Sequence, residues 1–236
     1  MRMSTAALQR MDVRPGRTSV GAKLLNLFVS PGAVFEEVVI SPPRVMNYLV
    51  PTALVCLSSL VVLNATTNLE HASTAVGQLL EGEKITQTQA AWLNAHWQGV
   101  SRMAIGITTF AGVAWSAFVI WFVGKIFLKS RFAFGKALEV AGLSGTILVL
   151  GTIVTGLLAA ATGDPLVRPA LSLFCSKLSP DTLLRTACGL LDFFHLWATA
   201  VLTIGLSRLA SVTIKESAFW IAGYWLFARI AVVLLG

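Results

Sequence analysis

Five apolar blocks, each long enough to cross a bilayer as a helix, constrain this chain more than any other feature. They cover 45–63, 103–124, 138–161, 190–207 and 218–235. A hydrocarbon core about 30 Å thick needs roughly 20 residues of helix, and a helix satisfies its backbone hydrogen bonds within one such segment. Strands of a membrane barrel would alternate over about 10 residues, a pattern these blocks lack. Only 12% of the residues are charged, against about 25% in soluble domains. The expected fold is therefore an all-α integral membrane protein. It is a five-span helical bundle with short N-terminal amphipathic helices and helical extracytoplasmic loops.

The formal net charge of +7 points to orientation rather than to nucleic acid. Its cations sit between apolar blocks, with no basic stripe interleaved with aromatics. Twelve Lys and Arg flank one side of the spans: Arg2, Arg10, Arg14, Arg17, Lys23, Arg44, Lys125, Lys129, Arg131, Lys136, Arg208 and Lys215. The other side has Lys84, Arg102, Arg168, Lys177 and Arg185. By the positive-inside rule the N-terminus is cytoplasmic and the C-terminus extracytoplasmic. The first apolar block begins too far along the chain for a secretory signal, so the first span would direct insertion. In a bacterium the destination is the inner membrane.

Residues 1–18 form a polar, Arg-bearing tail, and 19–236 the membrane domain. Val20, Leu24, Leu27 and Phe28 share one face of a helix, with Lys23 and Asn26 off that stripe, which suits a helix lying on the membrane surface. Ser30-Pro31 and Ser41-Pro42 read as helix starts, a cap residue with Pro behind it. Phe35, Val38 and Val39 lie between them. Pro51 enters the first turns of span one and favours a kink near Asn47.

Both outer connections carry helical signals. Leu79 and Leu80 belong to an amphipathic face, and Thr86 with Gln89 forms a capping box that opens a helix through Trp97. Such a hairpin, with Leu79, Leu80, Trp92 and Trp97, is a candidate partner contact. Trp92 and His96, four apart, suit stacking better than metal ligation. In the second connection Pro169 and Ser179-Pro180 read as starts of two short helices. Cys175 and Cys188 lie there too. An oxidising compartment would permit a disulfide, and two apolar packers are the alternative.

Within the blocks, polar residues are costly in lipid and so informative. Asp192, His195, Thr199 and Thr203 step along one face of span four, and Arg229 lies at a similar outer depth. An Asp192–Arg229 pair would bridge neighbouring helices; a proton or solute path is the alternative. Thr108, Gly112 and Ser116 put a small residue at every fourth position of span two, while Gly142, Gly145, Gly151 and Gly156 do similar work in span three. Both sets favour close helix approach. Gly142-Leu143-Ser144-Gly145 also matches the G-x-S-G of rhomboid proteases. Ser144 near the inner end of its span and His195 near the outer end of the next are too far apart in depth for a nucleophile and base. No catalytic residue, metal site or cofactor-binding motif is assigned; a P-loop is missing too.

These residues resemble the Yip1 family. The resemblance rests on Ser30-Pro31 followed by Phe35, then Pro42-Pro43 and Pro51. It extends through the basic inner loop Arg131-Phe132-Ala133-Phe134-Gly135-Lys136-Ala137 and the approach to span four, Leu191-Asp192-Phe193-Phe194-His195-Leu196-Trp197. Eukaryotic members are trafficking proteins linked to small GTPases and carry a D-L-Y-G-P motif, which this sequence lacks. Bacterial members look like accessory membrane proteins, some associated with ABC-type exporters that include a periplasmic adaptor. The resemblance therefore implies a non-enzymatic accessory or scaffold subunit that contacts the bilayer, other membrane proteins and, in that setting, an ABC transporter permease and a periplasmic adaptor. A stand-alone solute or ion transporter and a trafficking or membrane-shaping adaptor are the alternatives.

Overall fold

The structure, a computed structural model, describes residues 18–66, 85–163, 167–173, 188 and 191–235, with side chains in the last helix through Ala228. Among the described residues it is all helical, with a single isolated bridge between Ala170 and Asp192. In chain order the helices are α1 (Val20–Val29), α2 (Pro31–Ile40), α3 (Met46–Thr66), α4 (Gln87–Ile126), α5 (Phe134–Ser144), α6 (Thr146–Thr162), α7 (Phe193–Ala210) and α8 (Ile214–Leu235). Among the described residues, four stretches are long and apolar enough to cross a membrane: Met46–Ala65, Gln87–Ile126, Phe134–Thr162 and Phe193–Ala210. The fifth expected span falls on α8, a helix of 22 residues.

The short connections follow from their end chemistry. Ser19 caps α1, its hydroxyl accepting from the Ala22 amide at 3.2 Å. Thr86 and Gln89 form the expected capping box at the start of α4. At the turn between α7 and α8, Ser211 takes the left-handed conformation (φ 55°). Thr213 and Glu216 then exchange reciprocal bonds of 3.2 and 3.0 Å, so both ends of this tight turn are satisfied locally.

Three boundaries differ from the sequence reading. The outer helix through Trp97 and span two are one continuous 40-residue helix, because Gln98 to Arg102 contain no breaker stronger than a single Gly, which a helix tolerates. At 1.5 Å per residue α4 is about 60 Å long, twice the hydrocarbon thickness. Span three divides at Gly145, which caps α5 and precedes α6. And Ser41-Pro42 does not start a helix: Ser41 closes α2, and α3 begins at Met46 with Pro51 inside it.

The spans pack in a ring of neighbours. α3 lies on α4, α5 and α6, α4 on α5, and α7 on α5, α6 and α8. α1 and α2 fold beneath this ring, with α2 packed against α7 and α5. The core is continuous: Leu27, Phe35 and Val38 of the N-terminal helices join Val140 and Leu143 of α5 and Leu206 of α7. The outward faces of α4, α6 and α8 remain apolar, with Ile107, Leu157 and Phe227 each about two-thirds exposed or more. Lipid is the solvent that such faces require.

Candidate functional site

Two constellations stand out, one polar and buried where the ends of the spans meet α1 and α2, the other a cavity between the spans. The first is built around Lys136 and Glu139 on α5. One α-helical turn separates them, and the Lys136 ammonium lies 3.2 Å from the Glu139 carboxylate. The same ammonium donates to the backbone carbonyls of Val38 and Ser41, at the end of α2. A cation at a helix C-terminus meets carbonyls with no partner within the helix, and the dipole favours it. Asn47, fully buried in the first turn of α3, donates its side-chain amide to Glu139. One carboxylate thus holds α3 while its lysine partner holds α2.

A second ion pair continues this arrangement. Lys23 of α1 is only 1% exposed and sits 3.3 Å from Glu37 of α2, which also accepts from the Thr18 backbone amide and hydroxyl. Burial raises the affinity of the Glu37 carboxyl for a proton. The hydrogen bonds from Thr18 and Lys23 and the Lys23 charge outweigh it, holding the group below the usual glutamate value. Lys23 was expected off the apolar stripe and in the open. Instead α1 turns it inward, because α2 supplies a carboxylate to meet it. On the rim, Arg208 of α7 reaches Glu36 at 3.3 Å.

The cavity, about 380 Å³, lies among α3, α4, α5 and α7. Thr52, Thr108, Gly112, Ser116, Ser144, Thr199 and His195 line it. Its hydroxyls are largely committed to their own helices. Thr52 donates to the Tyr48 carbonyl, Thr108 to Ala104, Ser116 to Gly112 and Thr199 to His195, at 2.6–2.9 Å. Each oxygen then faces the cavity as an acceptor. Ser144 and His195 both border this space, nearer in outline than the depth argument implied. The buried Ser144 hydroxyl has no hydrogen-bond partner among the described residues, so no Ser–His pair is formed.

The stripe on α7 separates into distinct roles. Asp192 is not inside a span but caps α7, its carboxylate accepting the Phe194 and His195 amides at 2.8 and 3.0 Å. The His195 ring lies 3.3 Å from the same carboxylate. Thr203 donates to the Thr199 carbonyl at 2.8 Å, not to its hydroxyl. With both threonine protons spent on backbone, the stripe is not a chain of side-chain hydrogen bonds. The Arg229 side chain lies outside the described residues, as do Leu79, Leu80 and Cys175. Cys188 is buried.

The small residues also divide. A side chain at Gly142 would fall 2.4 Å from the Tyr48 backbone, one at Gly151 2.7 Å from Phe194, and one at Gly156 2.8 Å from Val62. At these three sites helices approach closely. Gly145 meets only carbonyls of its own turn, and Gly112 meets nothing within 4 Å. The Thr108–Gly112–Ser116 ladder therefore faces the cavity, with no described helix packed closely on Gly112. On the N-terminal part of α4, Trp92 is exposed and stacks on His96 with ring centroids 4.7 Å apart, and Trp97 is half-buried.

Sequence reasoning counted Lys136 among the orienting cations and passed over Glu139. The available signal was a lone carboxylate at the start of an apolar block, one turn from a lysine.

A family model described as the Yip1 domain matches residues 25–236. Comparison with curated proteins finds no match, nor does comparison with solved structures. The matched stretch contains Phe35 in the core, the Asn47–Glu139–Lys136 network and the whole of α2 to α8. This chain is a membrane protein that belongs to the Yip1 family.

Proposed function

We propose that this chain is a non-enzymatic accessory subunit that scaffolds a larger assembly in a bacterial inner membrane. In this reading it crosses five times, with the N-terminus in the cytoplasm and the C-terminus outside. The observation that carries it is the reach of α4. Arg102 donates to Asn64 near the outer end of α3 at 2.8 Å, which fixes where α4 passes the end of its neighbour. The 15 residues from Gln87 to Ser101 then extend about 22 Å farther. An isolated bundle has no use for a rod of that length bearing an exposed Trp92, whereas a subunit that meets a partner outside the membrane does. The family resemblance suggests an ABC-type exporter, with its permease and periplasmic adaptor, as the assembly.

The test is purification of the tagged chain from native membranes in mild detergent, followed by mass spectrometry. Other membrane proteins should accompany it in reproducible ratio. Trp92→Ala and Trp97→Ala should reduce that recovery while leaving the elution volume of the chain itself unchanged. A chain that runs alone, before and after crosslinking, overturns the reading.

A second reading, solute movement, draws on the cavity with its acceptor oxygens and His195. Proteoliposome flux discriminates: conduction by the purified chain, lost on Thr199→Phe, would favour it.

A further inference from the structure

The geometry points to a binding site for one acidic phospholipid, its acyl chain lying in an aromatic groove between α4 and α8 and its phosphate at a cationic rim. The groove has a volume of about 570 Å³ and is walled by Trp115, Phe118, Phe122, Phe127, Trp220 and Phe227, with Gly223 at its floor. It is closed at one end by the stack of Phe127 on Trp220, ring centroids 4.1 Å apart. At the other, the Trp115 indole donates to the Tyr224 hydroxyl. That bond satisfies the indole N–H, the one polar group of Trp115. From Trp115 to Phe127 is 12 residues, about 18 Å along the axis, close to the 15 Å of a single leaflet.

The rim supplies the charge. The Phe127–Trp220 stack brings the end of α4 to the start of α8. Within 125–131 and 211–216 lie Lys125, Lys129, Arg131 and Lys215 against one carboxylate, Glu216. All four cations are exposed. Glu216 is occupied, accepting the amide and hydroxyl of Thr213 at 3.0 Å. The Lys125 ammonium lies 4.7 Å from the centre of the Trp121 ring, at the level where headgroups sit and amphipathic side chains snorkel.

A lipid fits this groove better than a protein helix. A partner helix would cross both leaflets and seek small residues for close approach. This groove ends within one leaflet and is walled by rings. Charge complementarity at its shallow end selects an anionic headgroup over a zwitterionic one. The site is independent of the accessory-subunit reading, since it depends only on the membrane setting.

The test uses the full chain in nanodiscs, titrated with phosphatidylglycerol or phosphatidylcholine bearing the same brominated chains, while tryptophan fluorescence is followed. Saturable quenching should favour phosphatidylglycerol by about fivefold or more, from the attraction of each surface cation to acidic lipid. The triple variant Lys125→Gln, Lys129→Gln, Lys215→Gln should bring the two lipids together. A Cβ at Gly223 meets nothing within 4 Å, so Gly223→Leu can enter the groove from this position and should abolish saturation for both lipids. Equal quenching by both headgroups in the unaltered chain overturns the proposal, as does a preference that survives the triple variant. Crosslinking from Phe118 to a protein helix instead of lipid would likewise overturn it.

Discussion

Glu139 is the carboxylate at the centre of the buried polar network. It is 1% exposed, faces Lys136 across one turn and accepts from Asn47. A buried ion pair is weak evidence of stability, because desolvation offsets most of the attraction. Removing one member is different, since the other is stranded. Glu139→Ala should destabilise the detergent-solubilised protein by about 3–5 kcal/mol. The pair Lys136→Met with Glu139→Leu should cost less than the sum of the singles, as a thermal-melt double-mutant cycle will show. Strictly additive effects would mean that the two groups do not interact. Glu37 predicts a pH dependence. Its folded affinity for protons is below the ordinary one, so its contribution is complete above the usual glutamate pKa of about 4.3 and is lost as pH falls through the folded value. The stability gap between wild type and Glu37→Gln should therefore shrink on acidification below about pH 4. A gap unchanged down to acid unfolding would mean that the ion pair of Glu37 with Lys23 contributes nothing to stability. Gly142 is the steric counterpart. An alanine there must push against the Tyr48 backbone, an overpacking cost of about 1–3 kcal/mol, whereas Gly112→Ala, with open space, should be neutral or stabilising.

At the scale of elements, α4 makes the most specific claim. If it is one helix whose outer 15 residues stand clear of the membrane, a cysteine at Asn94 should react with a membrane-impermeant maleimide. One at Phe110, about 24 Å farther along the axis, should not react. Equal protection of both would bring the outer half of α4 back into the bilayer. The long apolar blocks made the existence of these helices legible, because lipid penalises anything else. The capping box at Thr86 and the stacking of Trp92 on His96 were legible too, since both are set by residues three or four apart. What stayed hidden depends on contacts distant in sequence. Lys23 looks solvent-facing until α2 brings Glu37 over it. Asn47 looks like a kink site until α5 presents Glu139, 92 positions away. The division at Gly145 left no clearer mark, because a glycine within an apolar run reads equally well as packing. Asp192 was read as a charge inside the bilayer, although an aspartate directly before Phe193 is also an N-cap signal.

The described helices form a ring of apolar spans; the N-terminal helices, joined to each other by Lys23–Glu37, are tied beneath it by Lys136 and Arg208–Glu36. Its orientation is a separate proposition. Alkaline phosphatase fused after Gly236 should be active and a fusion at Lys129 inactive, and the reverse pattern would invert the topology. The proposed accessory role depends on a surface that no other described element covers, the projecting end of α4 with its exposed Trp92 and Asn94. The most direct measurement places a photoreactive amino acid at Asn94 or Trp92 and irradiates intact membranes that express the chain at native level. The account predicts discrete, reproducible adducts to a different membrane protein at one position or both. Adducts to lipid alone at both positions, with the chain recovered unshifted, would contradict it.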